Sequence, residues 1–205
     1  MSYLITENDY DLSNDNEIEI KYVGASSTYS FESTTTGNLL NGIASGTNDN
    51  QRIGNIVQPI KLDVNIQIQQ IYYSSLTNIN NPIRLLIVWD KQCNGNLPLL
   101  SDCLDTATVE SLKNLNNRDR FVNIIDYTCN PLISGTINGT STIITTKNKH
   151  FSIDLTDLKQ TFGSNGSNIA DIKTGSLVAF YIANEVPANS QNSCIFTWKF
   201  YYTDC

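Results

Sequence analysis

The amino-acid sequence predicts an all-β protein, an eight-stranded antiparallel jelly-roll sandwich with long loops and at most one short helix. Strand-like segments recur along the chain, and the connections between them are rich in Asn, Ser, Thr and Gly. Neither an internal repeat nor an alternation of strands with helices is present. An immunoglobulin-like sandwich is the competing fold, but its Cys…Trp…Cys spacing is absent and its loops are usually shorter.

The strongest strand signal lies between Ile60 and Ile71. Apolar and polar residues alternate there, a period of two that is typical of a half-buried β-strand. The polar positions are Lys61, Asp63, Asn65, Gln67 and Gln69. Because the apolar side must cover a core, the polar side is left to face water, a partner subunit or a nucleic acid.

The remaining strands follow from shorter patterns. In Glu17–Val23, alternation predicts that Ile18, Ile20 and Tyr22 face the core. Ile83–Asp90 is apolar almost throughout, as in a strand covered on both faces. The other predicted strands are Gln51–Val57, Arg120–Tyr127, Lys149–Leu155, Ser176–Asn184 and Cys194–Tyr202. Trp89 and Trp198 lie within strands and are expected in the core.

One short helix is predicted between residues 101 and 119. Val109, Leu112 and Leu115 are spaced three apart, and Thr106 or Thr108 could cap the helix.

Length and charge limit the possible functions. The 205 residues fit an N-terminal segment, residues 1–16, followed by one domain, residues 17–205. The net charge of -7 is unlike that of proteins that wrap nucleic acid, so any such contact needs a local basic patch. No apolar run approaches the length of a membrane span.

The sequence contains no constellation typical of an enzyme. It has no nucleophile elbow, phosphate-binding glycine loop or HExxH motif, so neither catalysis nor a cofactor is expected. The five cysteines form no CxxC pair, and His150 has no Cys at ligand spacing, which favours free thiols over zinc. Asp102 and Asp105 are weak calcium candidates, although capping of a helix start is the simpler interpretation.

A lectin-like carbohydrate-binding β-sandwich is the alternative function. Jelly rolls occur in lectin domains, and Tyr, Trp and Asn side chains suit sugars.

Three segments taken in order resemble a known family. They are "GIASGTNDNQRIGNIV", "IRLLIVWDKQCNGNLP" and "NNRDRFVNIIDY". Their order and spacing resemble the capsid proteins of small circular single-stranded DNA viruses that encode a replication initiator (CRESS viruses). They are also similar to the coats of small plant RNA viruses and satellite viruses. The resemblance extends over roughly Glu17 to Tyr202.

The resemblance implies a single jelly roll with strands B to I, in sheets B-I-D-G and C-H-E-F, and with loops at one end gathered at fivefold axes. The implied assignment is B Glu17–Val23, C Gln51–Val57, D Ile60–Ile71, E Ile83–Asp90, F Arg120–Tyr127, G Lys149–Leu155, H Ser176–Asn184 and I Cys194–Tyr202. The implied function is self-assembly with other copies into a small T=1 icosahedral shell around single-stranded DNA. The implied location is the virion, with assembly in the host cytoplasm or nucleus.

If the B-I-D-G sheet lines the shell interior, its outward-facing cations become candidates for nucleic-acid contact. These are Lys21, Lys61, Lys147, Lys149 and Lys199, with His150 beside Lys149. Four arginines, Arg52, Arg84, Arg118 and Arg120, fall in the other sheet or its loops. We expect them to pair with Asp at subunit contacts or to support loops, because guanidinium matches carboxylate geometry.

The beginning of the chain departs from the family pattern. Family members usually start with an arm rich in Arg and Lys, whereas this chain starts with the acidic "MSYLITENDYDLSNDNEIEI". Without a basic arm, we expect DNA binding to be weak, because phosphate neutralisation supplies most of the affinity.

Overall fold

A computed structural model describes the fold of the protein. The fold is built around one long strand, β3 (Ile56–Tyr73). The structure describes residues 19–30, 36–73, 77–79, 82–130, 133–136, 142–183 and 190–205. The predicted N-terminal segment, residues 1–16, lies outside these ranges, as do the first two residues of the predicted strand Glu17–Val23.

The described residues form mainly β-strands. The strands are β1 Lys21–Ser30, β2 Asn38–Leu39, β3 Ile56–Tyr73, β4 Thr77–Ile79, β5 Ile83–Asp90, β6 Phe121–Cys129, β7 Ile133–Thr136, β8 Thr142–Asp154, β9 Gln160–Phe162, β10 Ile172–Thr174, β11 Ser176–Ala183 and β12 Ser190–Asp204. One helical turn, α1 (Leu100–Cys103), and two 3₁₀ turns, Leu115–Asn117 and Ile169–Asp171, complete the elements.

The first sheet contains β3 at its centre. β12 pairs antiparallel with β3 on one side and with β1 beyond it, while β8 pairs antiparallel with β3 on the other side. This is the predicted order B-I-D-G, which is confirmed. The short strands β9 and β10 extend the sheet beside the start of β3 and bring it to six strands.

The second sheet has the order β2-β11-β5-β6, which is the predicted order C-H-E-F. The predicted residues of strand C were wrong, however. Asn38–Leu39 lie beside β11, whereas Ile56 and Val57, from the end of the predicted strand, begin β3. Pro59 suggested a strand boundary because it lacks an N–H, but β3 passes through it at a register shift opposite Tyr201 and Tyr202.

The core lies between the two sheets. Leu62, Val64, Ile66 and Ile68 of β3 are buried, as their alternation predicts. Tyr181 of β11 meets Phe196 of β12 across the sandwich, with ring centroids 5.5 Å apart. The predicted core positions of the tryptophans are confirmed for Trp89, which is buried, and for Trp198, which is half-buried and stacks on Phe196.

The second sheet is covered on its other face too. The β5–β6 connection, residues 91–120, packs over Leu86 and Val88 of β5 and Phe180 and Ile182 of β11. Its own buried side chains there are Leu100, Cys103, Leu104 and Val109. All eight residues of β5 are consequently buried, which confirms the prediction of a strand covered on both faces.

In place of the predicted helix, this connection contains the single helical turn α1. Residues after it run in bends held by individual hydrogen bonds, such as Asn114 N–H to the Cys103 carbonyl. Val109 is buried, but Leu112 and Leu115 are exposed, so the spacing of three does not reflect one helix face.

No described helix has the length and apolar character needed to cross a membrane. The five cysteines are free thiols, as predicted, and three of them, Cys103, Cys129 and Cys194, are buried. Burial raises the pKa of the Cys194 thiol to about 12.

Two glycines with the same backbone conformation test how much the packing at the end of the sandwich contributes to stability. Gly175 has φ +83°, and a Cβ there would lie 2.5 Å from Trp89 Cζ2 and 2.6 Å from the Lys159 carbonyl. Gly95 has φ +85° with no other atom within 4 Å of such a Cβ. We expect Gly175→Ala to lower the free energy of unfolding by about 2–4 kcal/mol, because strain and steric overlap add.

The matched control Gly95→Ala carries the backbone strain alone and should cost about 1 kcal/mol. Urea denaturation of both variants measures the difference. Equal losses would contradict the packing role assigned to Gly175.

Candidate nucleic-acid interface

The outward surface of the six-stranded sheet is defined by the strand registers. We call it the polar face. Its rows run across β1, β12, β3 and β8 in that order, and they are Tyr22–Tyr201–Lys61–Asp154, Gly24–Lys199–Asp63–Ser152, Ser26–Thr197–Asn65–His150 and Thr28–Ile195–Gln67–Asn148. The polar positions predicted between Ile60 and Ile71 therefore share one surface.

One corner of the polar face combines lysines with tyrosines. Lys61 Nζ lies 4.4 Å from the ring centroid of Tyr201, and Lys199 Nζ lies 4.9 Å from that of Tyr22. The two tyrosine rings are neighbours, with centroids 6.0 Å apart. Cations beside aromatic rings are the groups that hold phosphates and stacked bases of single-stranded nucleic acids.

Lys61 is not a free charge. Its Nζ lies 2.9 Å from a carboxylate oxygen of Asp63, and that hydrogen bond raises the pKa of Lys61. Partial burial opposes ionisation of Asp63, but hydrogen bonds from Ser152 and Lys61 outweigh it and lower the pKa of Asp63. The two groups therefore stay ionised near neutral pH and largely cancel each other.

A shallow depression of about 560 Å³ occupies the middle of the polar face. Amide side chains, a hydroxyl and an imidazole line it, namely Asn65, Gln67, Asn148, Thr197 and His150. Ile195 and the paired residues Ile66 and Lys149 complete the lining. His150 Nδ1 lies 2.8 Å from the side-chain oxygen of Asn65, across the β3–β8 pair. The predicted surface position of His150 is confirmed.

The polar face carries almost no net charge. In its four rows, Lys61 and Lys199 are balanced by Asp63 and Asp154. Asp154 accepts hydrogen bonds from the backbone N–H and hydroxyl of Thr156, which lower its pKa and keep it ionised. Among the ion pairs of the described residues, none includes Lys199, so this lysine is the most available cation of the face.

The predicted outward position of Lys21 is wrong. Lys21 is buried, and its Nζ lies 2.9 Å from Asp204 and 3.3 Å from the Gln51 carbonyl. The hydrogen bond to Asp204 outweighs burial and raises the pKa of Lys21. The orientation of β1 is therefore opposite to the prediction, with Ile20 and Tyr22 exposed and Lys21 and Val23 turned inward.

Lys147 and Lys149 also differ from the expectation. Their registers with Ile68 and Ile66 place them on the opposite side of the sheet from the polar face. They remain exposed because β8 lies at the sheet edge, and Lys149 Nζ lies 5.6 Å from the ring centroid of Phe151. Of the five predicted lysines, Lys61 and Lys199 alone occupy the polar face.

Arg52 supports loops and is not available to a partner subunit. It is fully buried, stacks 3.9 Å over the Phe162 ring, and donates to the Ile43 carbonyl at 3.1 Å. It also donates to the backbone carbonyls of Gly54 and Ser164. Burial lowers the pKa of the guanidinium, but the surrounding carbonyl oxygens satisfy its donors.

Arg84 and Arg120 pair with aspartates of their own chain. Arg84 makes two hydrogen bonds to Asp126, at 2.6 and 2.7 Å, and donates to the carbonyls of Val109 and Ser111. Arg120 makes two to Asp90, at 2.8 and 2.6 Å, and these bonds raise the pKa of Arg120. Both arginines therefore fix the β5–β6 connection onto the second sheet, which agrees with the loop-supporting alternative.

Arg118 is the remaining candidate for a subunit contact. Its side chain is 69% exposed, and its nearest carboxylate, on Asp119, is 3.8 Å away and itself exposed. No described contact of Arg118 prevents it from meeting another molecule, so its predicted role stays a prediction.

The calcium candidates do not converge on a site. Asp102 uses its carboxylate to accept the Leu99 N–H at 2.8 Å and so caps α1, while Asp105 is exposed. Within the described ranges, no group of three or more His, Cys, Asp or Glu side chains could hold a metal ion.

The sequence patterns did not predict that Tyr22 and Tyr201 lie side by side on the polar face. Tyr201 follows from its alternation with the buried Phe200 and Tyr202, but Tyr22 was assigned to the core. From Gly24 to Thr28, β1 has no large apolar side chain, so its sequence holds little information about which face turns inward.

The buried ion pair of Arg120 and Asp90 provides a stability test with a matched control. Asp90 is fully buried, so Arg120→Met would leave a carboxylate without its counter-charge and should cost about 3–5 kcal/mol. Arg118→Met removes the same charge from an exposed position two residues away, and it should change stability by less than about 0.5 kcal/mol. Chemical denaturation measures both, and comparable losses would show that the Asp90 pair does not anchor the connection.

Comparisons with known proteins assign no role to any of these residues. No protein-family model matches the chain, and no curated protein matches it. Among solved structures, a chain of desmodium yellow mottle tymovirus is 12% identical over 98% of this chain and 94% of its own, with a TM-score of 0.25. A chain of the T13 particle of infectious bursal disease virus (IBDV) is 7% identical over 98% of this chain and 43% of its own, with a TM-score of 0.18. A chain of the Gx strain of the same virus is 7% identical, with a TM-score of 0.16. TM-scores this low carry no argument about function, which is therefore inferred from the chain's own topology and residues.

Proposed function

We propose that this protein is a viral capsid subunit that assembles with copies of itself into a small T=1 icosahedral shell around single-stranded DNA. The observation that carries the proposal is the pair of antiparallel sheets in the orders B-I-D-G and C-H-E-F, with long connections between them. Jelly rolls of this kind recur in viral capsids. The T=1 geometry and the DNA cargo rest on the resemblance of the sequence segments to CRESS capsid proteins.

Exposed apolar side chains support self-association. Large hydrophobic residues that stay in water in the single chain include three leucines of the β5–β6 connection, Leu99, Leu112 and Leu115. Leu112 is 76% exposed. Large apolar side chains left in water favour contact with another protein, and in this proposal that protein is a second copy.

The proposal assigns the chain a structural role in the virion, with assembly in the host cytoplasm or nucleus and without a catalytic step. The carbohydrate-binding alternative gains no support from the tryptophans, because Trp89 is buried and Trp198 donates its indole N–H to the Leu40 carbonyl at 3.1 Å. Neither ring is a free platform for a sugar.

Assembly is the direct test. We expect the purified protein to form closed particles in negative-stain electron microscopy and to sediment as a large species in analytical ultracentrifugation. Leu112→Ser should raise the protein concentration needed for assembly, since it removes an exposed apolar contact without touching the core. A monomer at every salt and protein concentration would contradict the proposal.

Nucleic-acid contact by the polar face predicts a small dependence on salt. We expect weak binding to single-stranded DNA, and Lys61→Ala together with Lys199→Ala should reduce the slope of log affinity against log salt by about 0.7, because roughly 0.7 is lost per phosphate contact and Lys61 is already paired with Asp63. Fluorescence anisotropy over a salt series measures the slope.

The control removes the same charge from the other side of the sandwich. Lys91→Ala together with Arg118→Ala alters the β5–β6 connection, which covers the opposite sheet. A slope change of equal size in both double variants would mean that the polar face does not hold the DNA.

A further inference from the structure

The outer strands of the two sheets differ in length and in the charged residues that they carry. Among the described residues, β1 pairs only with β12, β8 only with β3, and β6 only with β5. The remaining outer strands, β2 and β10, are two and three residues long. In an antiparallel pair, about half of the residues of an edge strand direct their N–H and C=O groups away from the sheet. The long edges therefore offer rows of backbone donors and acceptors.

Natural proteins protect such edges with charges, and two of the three long edges carry them. β8 presents Lys147 and Lys149, and both are exposed. β6 presents Asp126, which is bound by Arg84. These charged side chains oppose the addition of another strand.

The edge of β1 has no such protection. From Tyr22 to Thr28 the strand contains neither a charged residue nor a proline, and the side chains from Gly24 to Thr28 are small. Four of these five small residues are exposed, including Ala25 on the inner side of the sheet opposite Trp198. The described chain therefore leaves this edge open to solvent on both faces.

A groove of about 510 Å³ runs beside the first half of this edge. It lies between Tyr22, Val23 and Gly24 on one side and the turn Asn48, Asp49 and Asn50 on the other. The amide side chains of Asn48 and Asn50 could hydrogen-bond a strand that enters the groove, and Asp49 could accept from its N–H groups. The space and the polar lining both suit an extended backbone.

We propose that β1 pairs antiparallel with β1 of a second copy across a twofold axis, which joins two six-stranded sheets into one continuous sheet. This inference rests on the proposed self-assembly and names one of its contacts. An antiparallel strand edge is complementary to itself, as an isologous contact requires. A pair centred on Ala25 or Ser26 brings small side chains opposite each other and keeps the two Lys21 residues apart at the far ends.

A charge at the centre of the contact tests the inference. In Ser26→Lys, the two new lysines lie directly opposite each other if the pair is centred on Ser26, and they are diagonal neighbours on the same face if it is centred on Ala25. In either register, their repulsion should raise the concentration for half-maximal assembly by about tenfold or more. Thr146→Lys is the matched control, because Thr146 is an exposed residue on the opposite edge of the same sheet. It should assemble like the wild type, and circular dichroism confirms that both variants fold.

Cysteine cross-linking locates the contact independently. In a Cys205→Ser background, which removes the exposed native thiol, Ala25→Cys and Ser26→Cys are oxidised in the assembled state and run on a non-reducing gel. A dimer band from at least one of them, together with the loss of assembly in Ser26→Lys, is the expected result.

The outcomes separate the two proposals. If the wild type forms shells but Ser26→Lys assembles equally well, or neither cysteine cross-links, the β1 contact is overturned and the capsid proposal stands. If the wild type never assembles, the capsid proposal fails and the β1 contact fails with it.

Discussion

β3 exchanges backbone hydrogen bonds with β12 on one side and with β8 on the other, and its period of two sends alternate side chains to opposite faces. Leu62 and Val64 thereby enter the core, while Lys61 and Asp63 face outward. A slip of one residue would bury the polar set and expose the apolar set, so the registers of the neighbouring strands are tied to this alternation. The composition of the polar face follows directly from it, because each polar residue of β3 fixes which residues of β12 and β8 stand beside it.

Arginine side chains with little exposure hold the loops in place against the sheets. The β5–β6 connection and the loops around Arg52 are irregular, and a guanidinium with several acceptors anchors each of them in addition to any apolar contacts. Arg52 donates to backbone carbonyls of Ile43, Gly54 and Ser164. Near the two ends of β5, Arg84 binds Asp126 and Arg120 binds Asp90. The planar fork of donors makes arginine better suited to this than lysine. Rigid loops are what a subunit needs if its loops form contacts with neighbours.

The sequence predicted the strands with strong patterns and failed where the pattern was weak or interrupted. β5 was predicted with its observed bounds, because a continuous apolar run reports burial directly. The two sheet orders were implied by the resemblance to viral capsid proteins, and they are also correct. The residues predicted for strand C were wrong because Pro59 hides the continuity of β3. The predicted orientation of β1 was wrong because its small residues are compatible with either face. The ion pair of Lys21 with Asp204 joins residues at opposite ends of the chain, and no local pattern contains that information.

The near-neutral polar face constrains how a shell built from this chain could hold DNA. Counterion release rewards unpaired cations, and on this face Lys61 is already neutralised by Asp63. What remains is Lys199, two neighbouring tyrosine rings and a depression lined by amides. Such groups favour stacking and hydrogen bonds to bases, which depend on salt far less than phosphate contacts do. Contacts between subunits, rather than the attraction of DNA, would then have to supply most of the free energy of assembly, and the exposed leucines of the β5–β6 connection and the open edge of β1 are the surfaces suited to that role.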